Sequence, residues 1–364
     1  MRKGLIFKKG IIIALAAAVV TSPAPVMGVN GWGVMTAKAE ENTEITLAEN
    51  APQYLYVGDN ATIAVIWDGK LQDDGKDNKN TIYQGNGWYY DGEENQLVLQ
   101  GVSITNLACD RDLSILLSGT NTVEQYIQIE PGNSENEHTL TIKSDNNGSL
   151  ICESINAGST NKPRNLSIMG ATVETSEISC YGSLAIENSH IAVNNNQIND
   201  AISGNTVSIK DSYVKAKSTE DLAGAISSKN GITISDSQIL AEIGKTYETY
   251  PEDSVIKNVD SSNSVITKQW KKDADTNETV TKTYVYGKAT LKEDLTIASG
   301  ETIEFESGAR ITNPEKLTLA EGASLSVDGA EHIHNTDGDV TYTWKDDNKH
   351  IKNVACKDCP IGYV

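Results

Sequence analysis

The chain has 364 residues, with 50 acidic side chains against 30 basic ones, a formal charge of −20 and a pI near 4.6. An acid excess of that size repels phosphate backbones and excludes a general nucleic-acid binder. Charged residues at 22% and hydrophobic residues at 38% exclude a wholly disordered chain, and 29 Gly, eight Pro and only two Phe favour strands and turns over long helices. The length admits two or three domains, or one elongated domain of repeats.

Arg2, Lys3, Lys8 and Lys9 precede an apolar run from Ile11 to Val20. Ser22, Pro23 and Pro25 then break the run, and Ala37-Lys38-Ala39 supplies a small-residue cleavage site. That order predicts a secretory signal peptide over 1–39, too short in its apolar part to serve as a bilayer span. Five basic and no acidic residues leave with it, so 25 basic residues face 50 acidic ones and the charge becomes −25. The remaining chain is expected to be exported and not membrane-spanning.

An internal repeat dominates the rest. Leu166 and Ile168, Leu184 and Ile186, Val207 and Ile209, and Ile232 and Ile234 open four copies of one template. Apolar residues return seven places after each first anchor (Val173, Ile191, Val214, Ile239), and Thr175, Val193, Ala216 and Ala241 follow two places later. Each unit therefore reads as an alternating strand, a tight polar arc and a second alternating strand, one row inward and one outward. Leu97, Leu99 and Ile104 match the same offsets, and Leu113 and Leu140 begin imperfect copies. Coils of this length predict an all-β chain built as a parallel β-helix, or β-solenoid.

A second repeat follows. Leu295 and Ile297 lead to Ile303 and Phe305; twenty-two residues on, Leu317 and Leu319 lead to Leu325 and Val327, with Gly300, Gly308 and Gly322 in the arcs. The expected organisation is a leader at 1–39, an N-terminal cap segment at 40–92 and coils over 93–243. An irregular, polar insertion and further coils of the same stack follow over 244–330, then a small Cys/His module at 331–364. The strand-rich stretch from Tyr54 to Trp67 is expected to cover the first coil, because an open solenoid end exposes core and strand edges.

The run Trp88-Tyr89-Tyr90-Asp91, the pair Leu97 and Leu99, Asp112 to Ile115 and Gly119 to Val123, with Leu55 to Gly58 upstream, resembles a family of secreted Gram-positive β-helix proteins. They are described as carbohydrate-binding domain-containing proteins and are frequent in clostridia and gut Firmicutes. The resemblance covers roughly residues 52–330. It implies a right-handed parallel β-helix of the pectate-lyase-like type, whose characterised members bind acidic plant polysaccharide with calcium. It carries over no catalytic motif.

Several residue sets could carry chemistry. Asn188, Asp211 and Asp236 share one offset in the arc and Ser189, Ser212 and Ser237 the next, so stacking makes ladders of them. Stacked carboxylates repel, which a Ca²⁺ ion bound by Asn188, Asp211 and Asp236 would relieve; a solvated ladder of turn-forming residues is the alternative. Among the aromatics, Tyr89 and Trp270 are the candidates for stacking on sugar rings, whereas Trp88 is expected to cap the core. Arg111, Arg164 and Arg310 are isolated, which leaves a polysaccharide lyase without an obvious base, and no carboxylate pair stands out for a hydrolase.

Near the C-terminus, His334, His350, Cys356 and Cys359 have the residue types and spacing of a structural Zn²⁺ site; a Cys356–Cys359 disulfide and an unligated tail are the other readings. Cys109, Cys152 and Cys180 are expected to be buried free thiols, and His138 and His190 to lie on the surface or in arcs. The leading expectation for function is a secreted, non-catalytic polysaccharide-binding protein, with plant cell-wall glycan as partner and Ca²⁺ assisting. A surface structural or adhesive solenoid and a pectate-lyase-like enzyme are the alternatives.

Overall fold

A computed structural model of the chain describes residues 45–47, 54–57, 63–67, 70–72, 82–85, 87–91, 94–129, 137–144, 148–219, 223–244, 251–256, 259–271, 278–331, 340–346 and 349–354. The expected leader lies outside them. Among the described residues no helix is long and apolar enough to cross a membrane.

The chain is nearly all β, and a parallel solenoid of about 9 turns spans residues 103–327. Successive coils of the first stack build three parallel sheets. Sheet 1 stacks the first anchors, Leu113, Leu140, Leu166, Leu184, Val207 and Ile232, in one inward column. Sheet 2 stacks Leu150, Val173, Ile191, Val214 and Ile239. The two-strand template missed sheet 3, in which Leu107, Ile127, Ile155, Ile178, Ile202 and Ile226 form another inward column. Its strands are short and reached through a corner within continuous strands such as Thr172–Glu187, so the two-residue alternation restarts out of phase. All these columns are buried in one core cluster.

The first coil departs from the expected register. Leu97 pairs with Ile115, Leu99 with Leu117, and Ile104 with Val123, so all three sit two residues further along the coil than the template offsets. The preceding strand, Trp88–Asp91, explains the shift: it runs antiparallel to Gln96–Gln100 and sets Tyr90 opposite Leu97. Trp88 and Tyr90 are both buried there and close the core, with the Tyr90 hydroxyl donating to Asn95 Oδ1 at 2.8 Å. Tyr54–Val57 covers the same end by pairing parallel to Asn106–Cys109.

The stretch 244–284 carries the stack onward. Val259 stacks on Ile232 and Ile266 on Ile239, so the seven-residue offset holds for one more coil. The pattern is hard to see because Val265–Lys271 is buried on both faces. Ile266 and Trp270 point into the first core, whereas Val265 belongs to a second cluster with Val285, Ile303 and Phe305. Thr279–Val285 returns antiparallel to Val265–Lys271 and begins a second stack, in which Leu295 pairs with Leu317, Ile303 with Leu325 and Phe305 with Val327. The 22-residue repeat therefore forms coils of the solenoid as expected, and their buried side chains gather in a second cluster beside the first. Gly300, Gly308 and Gly322 have φ of 81°, 72° and 85°. Glu252, in the short helix Pro251–Val255, accepts hydrogen bonds from the Tyr284 hydroxyl and from Lys282, which pins the helix to the returning strand.

Candidate functional site

The bend between sheets 1 and 2 shows why its residue types recur. Asn188, Asp211, Asp236 and Asn263 have φ between 48° and 51°, the left-handed region that Asn and Asp tolerate better than other non-glycine residues. Glycine occupies the same bend one coil earlier, at Gly170. Accordingly, Asp236→Gly is expected to leave stability within about 0.5 kcal/mol and Asp236→Val to lower it by about 1–2 kcal/mol, measured by denaturant titration. Equal effects of the two substitutions would show that the backbone does not select the residue.

Each of the four Asn or Asp bends is followed by a buried serine, whereas Ala171 follows Gly170. Ser212 Oγ accepts from the Ser189 amide at 3.1 Å and donates to the Lys210 carbonyl at 2.6 Å. Ser237 and Ser264 repeat both contacts one and two coils on. The carboxylates outside this ladder already have cationic neighbours: Lys292 Nζ lies 3.6 Å from Asp211, and Lys210, 3.0 Å from Glu187, feels both Asp211 and Asp236. Repulsion was the reason to expect Ca²⁺, and these ammonium groups offset part of it without a metal. The bend therefore does not fit a calcium cage. Among the described residues no three His, Cys, Asp or Glu side chains gather as a metal-binding group.

The two aromatic candidates are not brought together. Tyr89 is half-buried on Trp88–Asp91 at the first coil, and burial, with Asp91 adding to it, raises its phenol pKa. Trp270 is only 5% exposed and packs in the main core, so its ring faces are not open to a sugar. Cys109, Cys152 and Cys180 are buried and not disulfide-bonded; burial pushes the Cys152 thiol up to about 12 and that of Cys180 to about 11. His138 is buried, contrary to expectation, 3.7 Å from Asp112, whereas His190 is exposed. His350 lies on Lys349–Val354, paired antiparallel with Val340–Asp346, while His334, Cys356 and Cys359 lie outside the described residues. Arg164 is buried, which removes it as a base for an incoming polymer.

A shallow opening lies elsewhere, on the outer face of sheet 2. There a cleft of about 560 Å³ is lined by Ile151, Glu174, Ser176, Ala192, Asn194, Lys215 and Lys217, with Cys152, Thr175 and Val193 also contributing. Alternation dictates the set: Val173, Ile191 and Val214 point inward, so Glu174, Ala192 and Lys215 point outward and stack as Glu174 on Ala192 on Lys215. Asn194 and Lys217 form the neighbouring row. The small side chain of Ala192 between the longer Glu174 and Lys215 makes the hollow. Lys217 is paired with Glu242 of the next coil, whereas Lys215, exposed, has no salt bridge among the described residues. The cleft thus offers an unpaired ammonium, an amide, a hydroxyl and a carboxylate on one rigid face.

The outward-facing residues Glu174, Ser176, Ala192, Asn194, Lys215 and Lys217 were not singled out from the sequence. They occupy offsets eight and ten of the repeat, between and beyond the apolar positions that defined it; polar residues there at Glu174, Asn194, Lys215 and Lys217 were the available signal. A segment of the second stack borders the same sheet: Gln238 Oε1 accepts the Lys292 and Glu293 amides at 2.8 Å each, and Glu293 lies 3.9 Å from His190. Comparison with protein families, with characterised proteins and with solved structures finds no match to this chain, so the fold and the cleft rest on its own residues.

Proposed function

We propose that the chain is an exported, non-catalytic polysaccharide-binding solenoid and that the sheet 2 cleft holds the glycan. The observation that carries this reading is the cleft itself. Three successive coils, about 4.8 Å apart, supply Glu174 and Ser176, then Asn194, then Lys215 and Lys217, so a linear polymer lying along the stack meets a polar group on each of the three. Rigid strands hold those groups in place, which lowers the ordering cost of binding. The resemblance of the Trp88–Asp91 and Leu97–Leu99 region to carbohydrate-binding β-helix proteins supports the same class.

Charge refines the proposal. On a chain of net charge −20, Lys215 is an unpaired cation at the place where the polymer would lie. Affinity electrophoresis in gels containing polygalacturonate or xylan, with and without EDTA, tests it. Retention of the wild type in at least one gel is expected, and Lys215→Ala should weaken it about fivefold or more without altering the fold. Because lysine supplies the positive charge, retention should survive EDTA. Wild-type protein that migrates freely in both gels sinks the proposal, as does an unaffected Lys215→Ala. A loss of retention with EDTA would replace the lysine contact with a bridging cation.

A further inference from the structure

The coil that supplies Asn194 is longer than the coil before it at one corner only. Thr175 stacks on Val193 and Ile178 on Ile202, yet Thr175 and Ile178 are three positions apart and Val193 and Ile202 nine. Six extra residues therefore bulge out where sheet 2 turns into sheet 3, beside Ser176 and Asn194 of the cleft. In solenoids, insertions into single repeats emerge as loops, often on the binding face.

This bulge is held firmly. Asn195, fully buried at its base, donates from Nδ2 to the carbonyls of Asn199 and Asp200 at 3.1 and 3.3 Å and accepts the Gln197 amide at 2.6 Å. Its own carbonyl accepts the Thr219 amide at 2.9 Å. The Asp200 carboxylate accepts from the Gly224 amide and the Ser227 hydroxyl, and Asn199 reaches Glu177 at 3.3 Å. At the tip, among Asn196, Gln197 and Asn199, stands Ile198. At 79% it is the most exposed large hydrophobic side chain of the described residues. A loop anchored at both ends thus holds an isolated apolar group in water at the margin of a polar cleft.

We infer that the 194–201 loop is the side wall of the glycan cleft and that Ile198 binds the apolar C–H face of a sugar ring. The inference rests on the cleft being the glycan site. Sugars present hydroxyls around the ring edge and C–H groups on its faces, so cleft polar groups and an aliphatic wall meet complementary parts of one ligand. Exposure of Ile198 in the free protein leaves its apolar surface available for burial on binding.

The test measures retention on polygalacturonate and xylan gels for the wild type, Ile198→Ser, Ile198→Trp, Lys215→Ala and Met169→Ser. Met169 is an exposed apolar residue of sheet 1 and controls for general loss of hydrophobic surface. Ile198→Ser should weaken retention about tenfold with an unchanged melting temperature, and Ile198→Trp should keep or strengthen it. Met169→Ser should bind as the wild type does. If Lys215→Ala weakens binding and Ile198→Ser does not, the wall is overturned while the cleft stands. Equal losses in Ile198→Ser and Met169→Ser also overturn it. Wild-type protein retained by neither glycan overturns both inferences.

Discussion

Phe305→Ala is expected to destabilise the second stack by about 3–5 kcal/mol while leaving most of the first stack protected. Phe305 is fully buried and is the one aromatic ring among the buried residues of the second core cluster, flanked in its column by Val285 and Val327. The other buried members are aliphatic and include Ala289 and Ala309, so nothing nearby is large enough to refill the cavity. Solenoid stability is close to a sum of coil and interface terms, so damage stays local. Hydrogen exchange should show faster opening over 295–327 and little change over 166–216. Uniform acceleration across both ranges, or a loss under about 1 kcal/mol, would contradict two separate cores.

The serine ladder gives the second large effect. Ser212→Ala removes one acceptor and one donor from a site with no access to water, leaving the Ser189 amide without its partner, while the Lys210 carbonyl keeps the Asn188 amide at 3.0 Å. A buried donor stranded in this way costs about 1–3 kcal/mol, and the loss in Ser212→Ala is expected in that range. Ser208→Ala, on the exposed face three places before the bend residue Asp211, should change stability by less than about 0.5 kcal/mol. Denaturant midpoints of the two variants compare the effects directly. If both lose equally little, the ladder contributes nothing beyond turn formation.

Much of the architecture was legible because burial and period coincide. The anchors at Leu166, Leu184, Val207 and Ile232 stack in register as the spacing required, and so do Leu295 with Leu317 and Ile303 with Leu325. Legibility failed where two structural demands overlapped. Val265, Ile266 and Thr267 are consecutively buried because two cores flank one strand, which erases the alternation that marks a coil. Sheet 3 was hidden because Ile155, Ile178 and Ile202 stand in short strands reached through corners, out of phase with sheet 2.

The site was less legible than the fold. Asn188, Asp211 and Asp236 stood out by repetition, yet a left-handed backbone imposes that repetition. Trp270 stood out as a large aromatic, and its size is used to fill the core. Lys215 and Asn194 attracted no notice because outward positions vary from coil to coil, and only stacking reveals that they share a hollow with Glu174. Ile198 was equally silent: one isoleucine in a polar run carries no period, and its meaning depends on the six-residue bulge beneath it.

The sequence range of the contacts also orders assembly. Ladder contacts in the first stack join residues about one coil apart, so each coil can form on its neighbour with little loop-closure entropy. Joining the second stack to the first closes much longer loops: the contact of Gln238 with Lys292 and Glu293 spans 54 and 55 residues. Pairing of neighbouring coils is therefore expected to precede docking of the two stacks, with nucleation open to any coil of either.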